Sequence, residues 1–282
     1  MKGKYWDKAW SLVEGCTPVS EACNNCWLAS MAHRFKTTCI KETTIAITSD
    51  HFPMELRLTT FNGKFNGTVN VRPDRLDIPL KTKKPTVFAV WSDLFHADVP
   101  KEFILKAFDR MDQASQHIFL VLTKRPLELY EFCSRYGIGS GNNFPDNAWL
   151  GVTAENQEQA DKRIPILLQV PAAKRFVSIE PMLSGIDFTN IGTVIEHGEF
   201  EEPEYLHGLA DLDLVILGGE SGHKARPMHP DWVRSVRDQC QAAGVPFFFK
   251  QWGTYKGPGD WKIPAGRLLD GREWNDLPWR LK

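Results

Sequence analysis

The sequence predicts an α/β fold in which parallel strands form a full or partial (β/α) barrel of the TIM type. Three observations predict it. Short, nearly continuous apolar runs recur along the 282-residue chain, the pattern of parallel strands buried on both faces. Helical patterns or long loops separate them, and strand–helix alternation leads to parallel pairing. Polar or charged residues appear where each apolar run ends, the place where such barrels carry their chemistry. A doubly wound open sheet is the alternative architecture.

The elements follow in order. AWSLVEG, residues 9–15, is a candidate first strand, and PTVFAVWSDLF, residues 85–95, is the first full one. Pro100 then opens a helix whose apolar residues Phe103, Ile104, Ala107, Phe108 and Met111 share one face. HIFLVLTKRP, residues 117–126, is the next strand, and Pro126 opens the next helix. AWLGVTAEN, residues 148–156, precedes a helix to about Leu168 that Pro165 bends or interrupts. KRFVSIEPML (174–183) and LDLVILGGESG (212–222) are further strands. A helix then places Trp232, Val233, Val236, Cys240 and Ala243 on one face and stops at Gly244. VPFFFKQWG, residues 245–253, is the last strand.

Seven such units fit a single domain over residues 1–282. Residues 35–84, rich in Thr, Asn, Lys and Arg, read as an insertion, and residues 187–211 read as an acidic loop. Residues 253–282, rich in Gly, Pro and Trp, read as an extension capping one end of the barrel. No apolar run is long enough to span a membrane, and the start has no signal-peptide pattern. The expectation is a soluble, cytoplasmic protein with no membrane partner. Net charge is −1, so no overall basic field points to nucleic acid. Three short basic clusters stand out: Lys81, Lys83 and Lys84; Lys124 with Arg125; and His223, Lys224 and Arg226. Such clusters are often only solvated surface.

Six cysteines are present, and without a secretion signal a disulfide framework is not expected. Cys133 and Cys240 sit in apolar helical patterns and read as small buried hydrophobes, while Cys39 is ambiguous. Cys16, Cys23 and Cys26 differ. They lie on one polar loop directly after the first strand, spaced C-x6-C-x2-C. Three thiolates can hold a [4Fe-4S] cluster with one iron left open. S-adenosylmethionine (SAM) can chelate that iron, and an electron from the cluster then cleaves the sulfonium. Zinc is the competing reading, with His33 or Cys39 as fourth ligand, although C-x6-C is wide for a zinc knuckle. Burial of all three cysteines as inert thiols is a third reading.

The other strand ends deliver Ser92, Asp93 and His96; Thr123, Lys124 and Arg125; Thr153, Glu155 and Asn156; Ser178 and Glu180; Gly218, Gly219, Glu220 and Ser221; and Lys250 with Gln251. A strand end is also simply where water begins. Glu180 and Lys250 follow directly on apolar runs, which aims them at the barrel mouth, and Gly218–Gly219 would let a ligand approach the backbone closely. Asp93 has an alternative reading as a cap of the turn before the Pro100 helix.

The chain resembles the phage-encoded, three-Cys-motif family of radical-SAM-like proteins. The resemblance rests on WSLVEGCTPVSEACNNCWLASMAHR, WSDLFHADVP, LTKRP, WLGVTAENQEQADKRIPIL, RFVSIEPML, VILGGESGHKARPMHPDWVRSVRDQC and GVPFFFKQWG, in that order. The first cysteine gap is six where radical SAM enzymes usually have three. Asn25 stands before the third cysteine, where an aromatic is common, so Trp27 or a later aromatic would pack the adenine. The resemblance implies a barrel of the radical SAM kind, with Cys16, Cys23 and Cys26 on the cluster. It further implies Ser92 and Asp93 near the SAM amino group and Thr153 and Glu155 near the ribose. Lys124, Arg125, Glu180, Glu220, Ser221 and Lys250 would face substrate or the SAM carboxylate, with Lys124, Glu180 and Lys250 as the catalytic candidates.

The resemblance also implies an external electron donor such as flavodoxin or ferredoxin, and the cytoplasm of an infected or lysogenic bacterial host. Cys39, Cys133 and Cys240 are too scattered for a second cluster, which leaves isomerase, mutase or lyase chemistry. The expected substrate is a nucleobase, or an amino-acid adduct of one, in phage DNA hypermodification. The basic clusters would hold the DNA backbone, and Trp252, Trp261, Trp274 and Trp279 would stack bases. A free nucleoside or small metabolite is one alternative. A zinc-binding, non-catalytic nucleic-acid-binding protein is the other.

Overall fold

A computed structural model describes residues 4–34, 58, 63–136, 144–195, 204–255 and 266–280. Cys39, Trp261 and much of the first part of the 35–84 segment lie outside the described residues. In chain order, the strands are β1 (Lys8–Trp10), β2 (Val13–Glu14), β3 (Asn70–Val71), β4 (Val87–Val90), β5 (Ile118–Thr123), β6 (Ala148–Thr153), β7 (Lys174–Ile179), β8 (Gly192–Ile195), β9 (Glu204–His207), β10 (Leu214–Gly218) and β11 (Phe247–Gln251). The α-helices are α1 (Trp27–Arg34), α2 (Lys101–Gln113), α3 (Pro126–Arg135), α4 (Gln157–Leu168) and α5 (Pro230–Ala243).

Seven strands form one sheet in the order β1-β4-β5-β6-β7-β10-β11, and every neighbouring pair is parallel. The sheet curls into a half-barrel, with β1 and β11 as its two edges. Alternate residues explain why the strands read as continuous apolar runs. Phe88, Phe119, Leu150, Val177, Val215 and Phe247 join the core that also takes in the buried faces of the helices. Their neighbours Val87, Leu120, Trp149, Phe176, Leu214 and Phe248 form a second cluster. Each fully buried side chain of this size contributes about 1.5–3 kcal/mol, so both faces are driven out of water.

α2 buries Phe103, Ile104, Ala107, Phe108 and Met111, the face that the periodicity predicts. α4 continues through Pro165 instead of breaking there. The proline sits in the last turn, where only one intrahelical bond is forfeited. At the start, Asn156 caps α4 by accepting from the Gln159 N–H. α5 ends where Gly244 takes a left-handed conformation, φ 69°.

Two sequence expectations change. The 9–15 segment is two strands: β1 pairs with β4, while β2 turns away and pairs antiparallel with β3. The acidic segment 187–211 contains the antiparallel β8–β9 hairpin. Its strands are only four residues long, and the acidic stretch between them masks their composition.

The C-terminal segment has two roles. Phe249 N–H donates to Trp274 O and Asp276 N–H to Phe247 O, so residues 274–276 run along the free edge of β11. Leu277 and Trp279 then join the second apolar cluster, with Trp279 edge-to-face on Trp149 at 4.9 Å. Trp149 is the second residue of β6, so this plug sits toward the N-terminal ends of the strands and leaves the other end free to hold a site. Among the described residues, no helix is long and apolar enough to cross a membrane.

Candidate functional site

A cavity of about 290 Å³ lies at the C-terminal ends of the parallel strands. Cys16, Cys23, Cys26, Ser92, Asp93, Lys124, Thr153, Glu180, Glu220, Ser221 and Lys250 all line it. Glu155 does not. It is fully buried behind the strand end, where its carboxylate takes a 2.8 Å ion pair from Arg163. His33 is likewise not among the lining residues.

The cysteine loop begins at Gly15, which has φ +89° and no room for a side chain: a Cβ there would meet Thr68 O at 1.9 Å. The loop is then fastened to the sheet at both ends. At the first, Arg125 donates to Thr17 O (2.8 Å) and reaches Cys16 Sγ (3.7 Å), while Thr17 Oγ1 bonds His96 Nε2 (2.8 Å). At the second, Asn25 Nδ2 donates to Glu220 Oε2 (3.0 Å) and to Lys224 O (2.9 Å), and Arg226 bridges Glu220 and Glu21. The amide before the third cysteine is therefore a fastening point. Burial would raise the Glu220 carboxyl, but hydrogen bonds from Arg226 and Asn25 outweigh it and hold the group below its ordinary value.

The three loop thiols are free, partly exposed and on one cavity rim. Burial and the nearby Asp93 carboxylate push the Cys16 thiol up, with Arg125 pulling the other way. Cys133 and Cys240 are pushed up to about 12 by burial, which makes them inert. Among the described residues, no three His, Cys, Asp or Glu side chains are already drawn around one point. Cys16, Cys23 and Cys26 line the same cavity. Their donor set suits an iron–sulfur cluster, which spreads its thiolates over several irons.

Asp93 is buried and already filled. Its Oδ1 accepts from Thr123 Oγ1 (2.7 Å) and Phe95 N–H (3.1 Å), and its Oδ2 from Arg125 (2.7 Å) and Lys124 N–H (3.3 Å). It both caps the turn and anchors Arg125. Across the cavity, Lys250 pairs with Glu180 Oε1 at 2.7 Å, and Tyr5 OH (2.9 Å) and Ser178 Oγ (3.2 Å) donate to Glu180 Oε2. Burial, and then Glu180, push the Tyr5 phenol well above its ordinary value, so it stays protonated. Tyr5 was not signalled by the sequence; it reaches the site because the segment before β1 packs onto Phe248 of β11. Lys124 contacts Thr153 Oγ1 at 3.5 Å, and among the described residues no carboxylate pairs with it.

Ser92 has φ 62°, unusual for a residue with a side chain. The left-handed region costs such a residue about 1–2 kcal/mol, and outliers of this kind concentrate at functional sites. Ser92→Gly is therefore expected to hold or raise the thermal unfolding midpoint while removing a hydroxyl from the cavity wall. A clear drop in the midpoint would show that the hydroxyl holds the fold.

Several expectations need correction. Arg125 is buried, at 7% exposure, and ion-paired, so of the Lys124–Arg125 cluster only Lys124 offers its charge to the cavity. Arg226 is engaged by Glu220 and Glu21. Lys81–Lys84 precede β4 and so belong to the end opposite the cavity. Glu220, expected near the cofactor, lines the cavity, and its carboxylate accepts from Arg226 and Asn25. Gly219 lines the cavity, and it is also needed for packing, because a Cβ there would meet Trp252 O at 2.1 Å. Trp252 and Trp274 are buried and Trp279 belongs to the plug, so these C-terminal tryptophans offer no stacking surface. The tryptophans that line the cavity are Trp6, Trp27 and Trp91, with Trp6 and Trp27 each edge-to-face on Trp91.

No curated protein and no solved structure matches the chain. Residues 2–278 match the family described as "Protein of unknown function (DUF5131)", and the chain belongs to that family.

Proposed function

We propose that this protein is a radical SAM enzyme whose cluster is held by Cys16, Cys23 and Cys26. The observation that carries this reading is the three free thiols on one rim of a cavity at the C-terminal mouth of a parallel half-barrel. A [4Fe-4S] cluster bound there would supply an open iron to chelate SAM and, when reduced, the electron that cleaves SAM to a 5′-deoxyadenosyl radical. The electron comes from an external donor such as flavodoxin or ferredoxin.

The chain's own residues then divide the work. Asp93, with all four of its acceptor positions used, positions Arg125 and the Lys124 backbone. Lys124, with no carboxylate partner among the described residues, is the cation that meets the SAM carboxylate. Ser92, Thr153 and Ser221 present hydroxyls to the rest of SAM, and Trp27 or Trp91 packs its adenine. Glu180, Lys250 and Tyr5 form a hydrogen-bonded group on the far wall that faces substrate. Glu155 supports the strand end through Arg163 and touches no ligand.

The substrate of this reading is a nucleobase, or an amino-acid adduct of one, in phage DNA, rearranged without loss of atoms. A free nucleoside or small metabolite is the second reading, favoured by one observation: of the basic residues expected to hold a DNA backbone, Arg125 and Arg226 are ion-paired and Lys81–Lys84 lie at the opposite end. Anaerobic incubation with iron and sulfide, followed by iron, sulfide and zinc analysis, tests the proposal. About four irons and four sulfides per chain support it. Stoichiometric zinc with no iron uptake favours the zinc-binding, non-catalytic alternative.

A further inference from the structure

Arg125 has a geometry that loop support alone does not require. The side chain leaves the turn between β5 and α3, at the N-cap of a helix that opens on Pro126. Thr123 Oγ1 accepts its backbone N–H (2.9 Å) and donates its own proton to Asp93 (2.7 Å). Asp93 in turn holds one guanidinium nitrogen at 2.7 Å. That same nitrogen lies 3.7 Å from Cys16 Sγ, within reach of an N–H···S bond, while the other is used on Thr17 O. The guanidinium is thus buried, locked from three sides and aimed at one of the three loop thiols. Among the described residues, no hydrogen bond brings a charged group to the sulfur of Cys23 or Cys26; the Cys23 contact is Ser20 Oγ at 4.0 Å.

We propose that Arg125 is a positioning residue that donates an N–H···S bond to the Cys16 thiolate and thereby raises the reduction potential of the cluster assigned to these cysteines. This rests on the radical SAM reading. Reduction by an external low-potential donor adds one electron, and no proton, to the cluster and its thiolates. A fixed positive charge and a hydrogen bond to a ligating sulfur both favour the form with the extra negative charge. Burial strengthens the effect, because little water is present to screen it. Asp93 and Thr123 keep the guanidinium in place, so little reorganisation is needed when the electron arrives.

The experiment is an EPR-monitored reductive titration of the reconstituted protein and of Arg125→Gln. Because Arg125→Gln leaves the Asp93 carboxylate buried without its partner, Asp93→Asn and the Asp93→Asn/Arg125→Gln double variant are titrated alongside it, so that Arg125 is also removed with no charge at position 93. The expected result is a lower midpoint potential in Arg125→Gln than in the parent, and in the double variant than in Asp93→Asn, together with faster iron loss to a chelator wherever Arg125 is removed. A purely structural role would speed iron loss and leave the midpoint where it is. An unchanged or raised midpoint on removing Arg125, in either of these two comparisons between folded, fully loaded proteins, overturns the proposal. Failure of the unmodified protein to take up iron and sulfide at all would overturn the cluster reading first, and this inference with it, so the two failures are distinguishable.

Discussion

Asp93→Ala is expected to destabilise the protein by about 3–5 kcal/mol, because it strands a buried cation. The carboxylate and the Arg125 guanidinium are both under a tenth exposed and 2.7 Å apart. Removing the carboxylate also leaves Thr123 Oγ1, Phe95 N–H and Lys124 N–H without their acceptor. The damage then passes to the cysteine loop, since Arg125 is what ties Thr17 down. Urea unfolding monitored by far-UV circular dichroism checks this. A loss below about 1 kcal/mol, the worth of one ordinary hydrogen bond, would show that the pair is not the anchor described. A role confined to SAM contact would instead weaken SAM binding and leave unfolding unchanged.

The second large effect concerns the thiols. The Cys16/Cys23/Cys26 triple alanine variant is expected to lose the brown, oxygen-sensitive chromophore completely, because no thiolate anchors remain on the rim. Cys133→Ala and Cys240→Ala remove thiols that are buried in helices α3 and α5. Each is expected to keep full iron content and to cost about 1–2 kcal/mol through the small cavity left behind. Iron and sulfide content per folded chain separates the two groups. Equal iron in the triple variant and the parent would remove these cysteines from the site.

The parts of the fold legible in the sequence are those carried by local patterns. The α2 face from Phe103 to Met111 repeats at helical spacing, and Gly244 is the residue type that a left-handed helix end favours. Strands β4 to β7, β10 and β11 stand out because both faces are buried. β2 and β3 did not stand out: each is two residues long, and their pairing joins positions far apart in the chain. The site divides in the same way. The strand-end rule brought Lys124, Thr153, Glu180, Ser221 and Lys250 together on one cavity from their positions alone. It could not say which charges were already spent. Arg125 and Arg226 looked like surface cations until Asp93, Glu220 and Glu21 appeared beside them. Tyr5 and Asn25 reach Glu180 and Glu220 across 175 and 195 residues, and such a partnership leaves no periodic trace.

The central claim is that the cysteine rim supports reductive cleavage of SAM. Its most direct test is the measurement of 5′-deoxyadenosine after anaerobic incubation of the iron- and sulfide-loaded protein with SAM and dithionite. The account predicts 5′-deoxyadenosine from the loaded protein and none from the Cys16/Cys23/Cys26 triple variant treated identically. No 5′-deoxyadenosine from protein that carries its full complement of iron and sulfide would contradict it.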